Sequence, residues 1–185
     1  MRRAFVLLGL VIGLFLSTNC AYSFDKEKMQ LISDIAQLVN SKEYTKALDK
    51  CNEALEFHPN NSELYYWRAT INSYLGNKED ALVDMDKSVG LNSSSSDMYV
   101  MRGILKSNLD DNEGALEDFQ KAIDLDPKNS SAYSMRACVK IINGEYRSAN
   151  EDLEKANTLI DEVQKENEQA EESESVESVE KENSK

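Results

Sequence analysis

Side chains able to carry acid–base or nucleophilic chemistry are scarce in this sequence. It holds one histidine, His58, which stands beside Pro59 with no serine, cysteine or aspartate at a spacing that suggests a triad. No CxxC or HExxH pair occurs, and no glycine-rich run follows a strand-like segment, so neither a metal centre nor a phosphate cradle is indicated. The most informative charged residues come in pairs. Arg68, Arg102 and Arg136 are each followed sixteen residues later by Asp84, Asp118 and Asp152, while Asp34 is followed at the same interval by Lys50. A reversal that preserves opposite signs predicts that the two positions touch. Arginine with a carboxylate forms a bidentate contact, worth roughly 0.5–3 kcal/mol depending on burial. These eight residues therefore read as structural ion pairs, and the sequence predicts no enzyme, no cofactor and no metal site.

The elements that position these pairs follow from composition and periodicity. The chain has 185 residues with 21 basic and 34 acidic side chains, a net charge of -13. Such a balance repels phosphate backbones and anionic lipid, which argues against nucleic acid as a partner. Seven glycines and two prolines supply too little turn chemistry for a sandwich or barrel and favour helices. Residues 1–23 have the three parts of a secretory signal: Arg2 and Arg3, an apolar run from Ala4 to Leu16, and Ala21-Tyr22-Ser23 as a cleavage site. The run is shorter than the ~20 residues a spanning helix needs. Cleavage after Ser23 would leave a mature chain of net charge -15, exported to a periplasm or to the medium. Two alternatives keep the chain at a membrane: an uncleaved leader, or lipid on Cys20.

A 34-residue ruler organises the rest. Ala47, Ala81, Ala115 and Ala149 fall on it, as do Leu31, Tyr65, Tyr99 and Tyr133, then Ala54, Ser88, Ala122 and Ala156, and Phe57, Leu91, Leu125 and Leu159. This pattern resembles the tetratricopeptide repeat (TPR), a helix–turn–helix unit that stacks into a superhelix. The resemblance implies an all-α, right-handed α-solenoid of four helix hairpins over residues 24–163, with repeats 28–61, 62–95, 96–129 and 130–163. Small residues at Ala69, Gly103 and Ala137 are expected to face Ala81, Ala115 and Ala149 and let the paired helices approach closely. Gly76 and Gly144 suit a left-handed cap between helices, with Asp110 a poorer fit in the third unit. Asn92 and the serines after it replace the closing proline of the second unit, which predicts a mobile corner. The family's usual aromatic late in the first helix is missing, because Asn72, Lys106 and Lys140 stand there.

The ruler also predicts where the array ends. Leu48 with Leu55, Leu82 with Val89, and Leu116 with Ile123 form a stripe on the second helices, and Asn150 and Asn157 replace it in the fourth unit. A terminal repeat needs a polar outer face, so four units are expected. Residues 164–185, rich in Glu and Ser, read as a disordered acidic tail, extending the fourth unit's helix at most, with no coordinating loop for calcium. Cys51 and Cys138 fall in the first and fourth layers, too far apart for a disulfide. Both are expected to be free, buried thiols.

In TPR proteins the first helices line a concave groove that holds a peptide or partner helix. Carried onto this chain, the groove face presents Tyr66, Trp67, Thr70 and Tyr74 in the second unit and Val100, Met101, Ile104 and Asn108 in the third. Ser134, Met135, Cys138 and Ile142 follow in the fourth, with Ile32, Ser33, Ala36 and Asn40 in the first. The face lacks the basic set with which some TPR domains grip a C-terminal carboxylate. Its apolar and aromatic residues suit hydrophobic anchors, or packing between the helices themselves. The expected function is a non-catalytic, exported protein–protein scaffold or adaptor; the alternative is a structural subunit of a membrane-associated complex. No small-molecule substrate is implied, and self-association through the same face has the same sequence signature.

Overall fold

The computed structural model describes residues 28–183, with side chains described through residue 170; the leader at 1–23 lies outside the described residues. Among these, all regular structure is helix: α1 (28–40), then α2 (Tyr44–Phe57), α3 (Ser62–Leu75), α4 (Lys78–Leu91), α5 (Ser96–Ser107), α6 (Asn112–Leu125), α7 (Ser130–Ile142) and α8 (Tyr146–Asn183). The paired helices pack as hairpins, α3 with α4, α5 with α6 and α7 with α8, and neighbouring hairpins stack through α2 on α3, α4 on α5 and α6 on α7. This is an all-α solenoid.

The hairpin turns are set by backbone conformation. Lys42, Gly76, Asp110 and Gly144, spaced 34 apart, have φ of 60°, 85°, 63° and 80°. At each, the next residue's N–H reaches back to the helix: Glu43 to Leu38, Asn77 to Asn72, Asp111 to Lys106 and Glu145 to Lys140, at 2.8–2.9 Å. That six-to-one bond, with a left-handed residue inside it, is the Schellman closure, and it satisfies carbonyls the helix end would otherwise orphan. Asn61 and Asn129 cap the starts of α3 and α7 through their Oδ1 atoms. Asn92, where a loose corner was expected, accepts hydrogen bonds from the Ser94 N–H and hydroxyl. Asp126, one unit later, likewise accepts from the Lys128 N–H.

Close approach within hairpins follows from the small residues. Ala69, Gly103 and Ala137 are all buried, as are Ala47, Ala81, Ala115 and Ala149. In the third unit a Cβ on residue 103 would lie 2.6 Å from the Phe119 ring, so glycine there is the counterpart of the largest fully buried side chain. The apolar interior falls into two clusters. One, around Ile35, Cys51, Leu64 and Ile71, joins the first two hairpins; the other, from Ala69 to Val139, runs through the second to fourth and includes Met85, Leu105 and Phe119.

Two expectations need correction. The segment 164–183 is helix, continuous with α8, and not a disordered tail. No proline or glycine follows Gly144, and the Glu, Lys, Gln and Ala in it are strong helix formers. Cys138 is exposed, whereas Cys51 is buried. The reason is position: Cys51 is covered by the second hairpin, but nothing comparable covers Cys138.

Candidate functional site

Two kinds of surface could do something: the charged ladder between the helices, and the apolar face of the first helices. In the ladder, Arg68 Nε and Nη2 donate to Asp84 at 2.8 and 2.7 Å, and Arg102 does the same to Asp118 at 2.9 and 2.7 Å. Arg136 forms the same bidentate contact with Asp152, and Lys50 Nζ reaches Asp34 at 2.6 Å. Each guanidinium also lies over a tyrosine ring three residues earlier, Tyr65, Tyr99 or Tyr133, at 5.3–5.6 Å. The third nitrogen, Nη1, crosses to the preceding hairpin and donates to Asn52, Asp86 or Gln120. Each arginine therefore ties three helices together.

The missing aromatics of the first helices are explained by the same carboxylates. Lys106 reaches Asp118 at 2.9 Å, Lys140 reaches Asp152 at 2.8 Å, and Asn72 approaches Asp84 at 3.4 Å. An aromatic there would leave a buried carboxylate with one donor fewer. Burial by itself would raise the Asp152 carboxyl, but the hydrogen bonds from Arg136 and Lys140 outweigh it and hold the group below the ordinary carboxylate value. Lys50 and then Gln30 lower Asp34. Hydrogen bonding to the aspartates raises Arg68, Arg102 and Arg136 further. All these groups are charged and satisfied, which is the state of structural pairs and not of groups poised to exchange protons. The acceptor column of Asn52, Asp86 and Gln120 escaped the sequence reading, although its 34-residue spacing could have revealed it.

The first-helix face divides on inspection. Thr70 and Val100 are each 8% exposed, which removes them from a binding surface. The Thr70 hydroxyl donates to the Tyr66 carbonyl, and Val100 belongs to the central core. Both were assigned outward from helical spacing, but each helix in a solenoid is buried on two sides. Tyr66, Met101, Ile104 and Met135 are half-buried against the same core, and burial raises the Tyr66 phenol. Trp67 is half-buried against the first cluster and meets Tyr66 edge to face. Asn108 is exposed. Tyr74 and Ile142 are 60% and 67% exposed, and Tyr74 stacks on Tyr44 of the first hairpin at 5.0 Å.

Among the described residues, no group of three His, Cys, Asp or Glu is placed to hold a metal ion, and no helix is long and apolar enough to cross a membrane.

Comparison with known proteins agrees on the class. Models of the tetratricopeptide repeat match residues 50–83 and 118–149, and another matches 96–129. These matches fall on the helical stack between residues 50 and 149, and the fold is an all-α solenoid whose hairpins pack as tetratricopeptide-repeat units do. No curated protein matches its sequence. Among solved structures, it is similar to MamA, with a TM-score of 0.67 and 18% identity over 73% of this chain and 79% of that one. It is also similar to MamA from Desulfovibrio magneticus RS-1, with a TM-score of 0.65 and 20% identity over 71% and 75%. The first TPR of Spaghetti (RPAP3), bound to the HSP90 peptide SRMEEVD, superposes with a TM-score of 0.55 and 24% identity over 68% and 91%. At these identities the likeness concerns the fold alone.

Proposed function

We propose that this chain is an exported, non-catalytic adaptor that holds a peptide or helix of another protein against the exposed part of its first-helix face. One observation carries the reading. In a chain of net charge -13, the stripe Trp67, Tyr74, Met101, Ile104, Asn108, Met135 and Ile142 bears no charge and keeps solvent-accessible surface on every residue. Uncharged aromatic and aliphatic surface of this kind is where binding energy concentrates. The Spaghetti relative was solved with a peptide bound, which supports the same use of the fold here. That relative's peptide is acidic, and this stripe offers no cation to it. The anchors expected of a partner are therefore apolar. Export rests on the leader at residues 1–23, with retention by an uncleaved leader or by lipid at Cys20 as the membrane-bound variant.

The test is a crosslinked pull-down from envelope and medium fractions with the full chain as bait. Glutamate at Tyr66 or Met101, both packed on the core, would breach it, so the substitutions are Tyr74→Glu and Ile142→Glu. A partner captured by the wild type and lost with folded variants supports the reading. Identical captures from both overturn it. Fractionation of the same cells reports whether the chain is released or retained.

A further inference from the structure

The repeat-to-repeat interface has a fixed chemistry, and its last copy has no following repeat in this chain. At each internal junction, an acceptor on the second helix takes the Nη1 hydrogen bond of the next unit's arginine: Asn52 from Arg68 at 3.0 Å, Asp86 from Arg102 at 3.2 Å, and Gln120 from Arg136. Glu154 is the fourth member of that column, 34 residues after Gln120. It is exposed, accepts a hydrogen bond from Asn150 at 2.8 Å, and no arginine follows Arg147 in the sequence.

A second column agrees at two of its three earlier places, Asn112 accepting only from Ser107 of its own hairpin. Tyr44 stacks on Tyr74, and one unit later Lys78 Nζ donates to the Asn108 carbonyl at 3.2 Å. Tyr146 is the last member of the Tyr44 and Lys78 column and is 69% exposed. Between these positions Leu153, which occupies the place of Cys51, Met85 and Phe119, is 36% exposed where those three are buried. Ile160, 40% exposed, continues the stripe past the point where α2, α4 and α6 have ended. Tyr146, Leu153 and Ile160 are seven residues apart, so they share a face about 21 Å long. The end of the array is therefore not the polar cap that Asn150 and Asn157 suggest. It is an apolar stripe with an acidic column, Glu154, Asp161 and Glu168, along its edge.

We propose that this face of α8 docks a basic amphipathic helix of a partner protein, seated as the first helix of a fifth unit would be. Its apolar residues pack on Tyr146, Leu153 and Ile160, and an arginine meets Glu154. A second copy of the chain does not fit. Its own first helix carries Asp34 where Arg68, Arg102 and Arg136 stand in the others, which would set a carboxylate against Glu154. This site is separate from the first-helix face and does not depend on it.

The probe is a fluorescent, helix-stapled peptide with the sequence of α5, Ser96–Ser107, which packs on α4 within the chain and whose Arg102 already holds Asp86 there. Anisotropy titration of the full chain should show saturable binding, at least tenfold weaker for the peptide carrying Arg102→Glu. The surface variant Glu154→Arg should reverse that preference, and Leu153→Lys with Ile160→Lys should abolish binding while circular dichroism stays native. Absence of saturable binding, or binding indifferent to Glu154→Arg, overturns the proposal. So does sedimentation of the chain alone as an oligomer that Leu153→Lys disperses, because the occupant is then a second copy.

Discussion

Arg102 and Asp118 face each other across the third hairpin with both carboxylate oxygens engaged, at 2.9 and 2.7 Å, while the arginine's remaining nitrogen holds Asp86 of the hairpin before. Asp118 is 4% exposed, so it depends on the cations around it. Reversing Arg102 to Glu leaves two carboxylates together and should cost about 3–5 kcal/mol, as for breaking a buried pair. Adding Asp118→Arg should return part of that loss, limited by Lys106 nearby. Urea melts of the two singles and the double check this; no recovery in the double mutant would discard the pairing as a stabilising contact.

Gly103 is set by Phe119. A methyl at position 103 would meet the ring at 2.6 Å, and the ring is fully buried with little room to move. Overpacking costs about 1–3 kcal/mol, offset by roughly 1 kcal/mol of helix propensity on going from Gly to Ala. Gly103→Ala should thus destabilise modestly. The other hairpins pair Ala69 and Ala137 with Met85 and Leu153 at the matching places, so Gly103→Ala with Phe119→Leu should cost less than the two singles summed. Additive losses in denaturant midpoints would show that the two residues are not coupled.

The left-handed turns offer a stabilising change. Asp110 holds φ of 63° where Gly76 and Gly144 hold 85° and 80°, a conformation that strains residues with a Cβ. Asp110→Gly should raise stability by about 0.5–1 kcal/mol after the entropy cost of glycine. Gly144→Ala should lower it by a similar amount. A lower melting temperature for Asp110→Gly would mean that the aspartate contributes more than its backbone costs.

Acid should loosen the fourth hairpin. The Asp152 carboxyl titrates below its ordinary value of 3.8 in the folded chain. Its stabilising contribution is therefore complete above the unfolded value and disappears as pH falls through the folded one. Asp152→Asn should melt below wild type at neutral pH and converge with it under strong acid. Parallel melting curves at every pH would dissociate the carboxylate from stability.

The thiols should differ sharply. Burial pushes Cys51 up to about 12, and the residue is fully enclosed, whereas Cys138 is exposed. Iodoacetamide at neutral pH should label the Cys138 peptide in the native chain and the Cys51 peptide only after denaturation. Equal labelling of both in native buffer would contradict the packing of the first hairpin.

The repeat itself was legible because identical local chemistry recurs every 34 residues. The Ala columns, the glycines of the turns and the Arg–Asp spacing each mark one place in a hairpin, and α3, α5 and α7 begin at Ser62, Ser96 and Ser130. The ion pairs could be read because a covarying sign reversal inside one chain reports a contact. Thr70 and Val100 could not be placed, because helical spacing gives the angle of a side chain about its own axis and not which neighbour covers it. The helix through 164–183 was missed because low hydrophobicity argues against a packed core, while helix propensity and the absence of Pro or Gly act locally and carry α8 onward.

What the sequence by itself determined is the local and periodic part: helices, their turns, their pairing and the acidic charge. Burial and end effects were decided only by the tertiary structure. Whether Cys138, Tyr146, Leu153 or Glu154 meets a neighbour depends on whether another hairpin follows, and each belongs to a column whose earlier members are covered or paired. In a stack held together by nearest neighbours, a column that is covered inside the array is left exposed at its end.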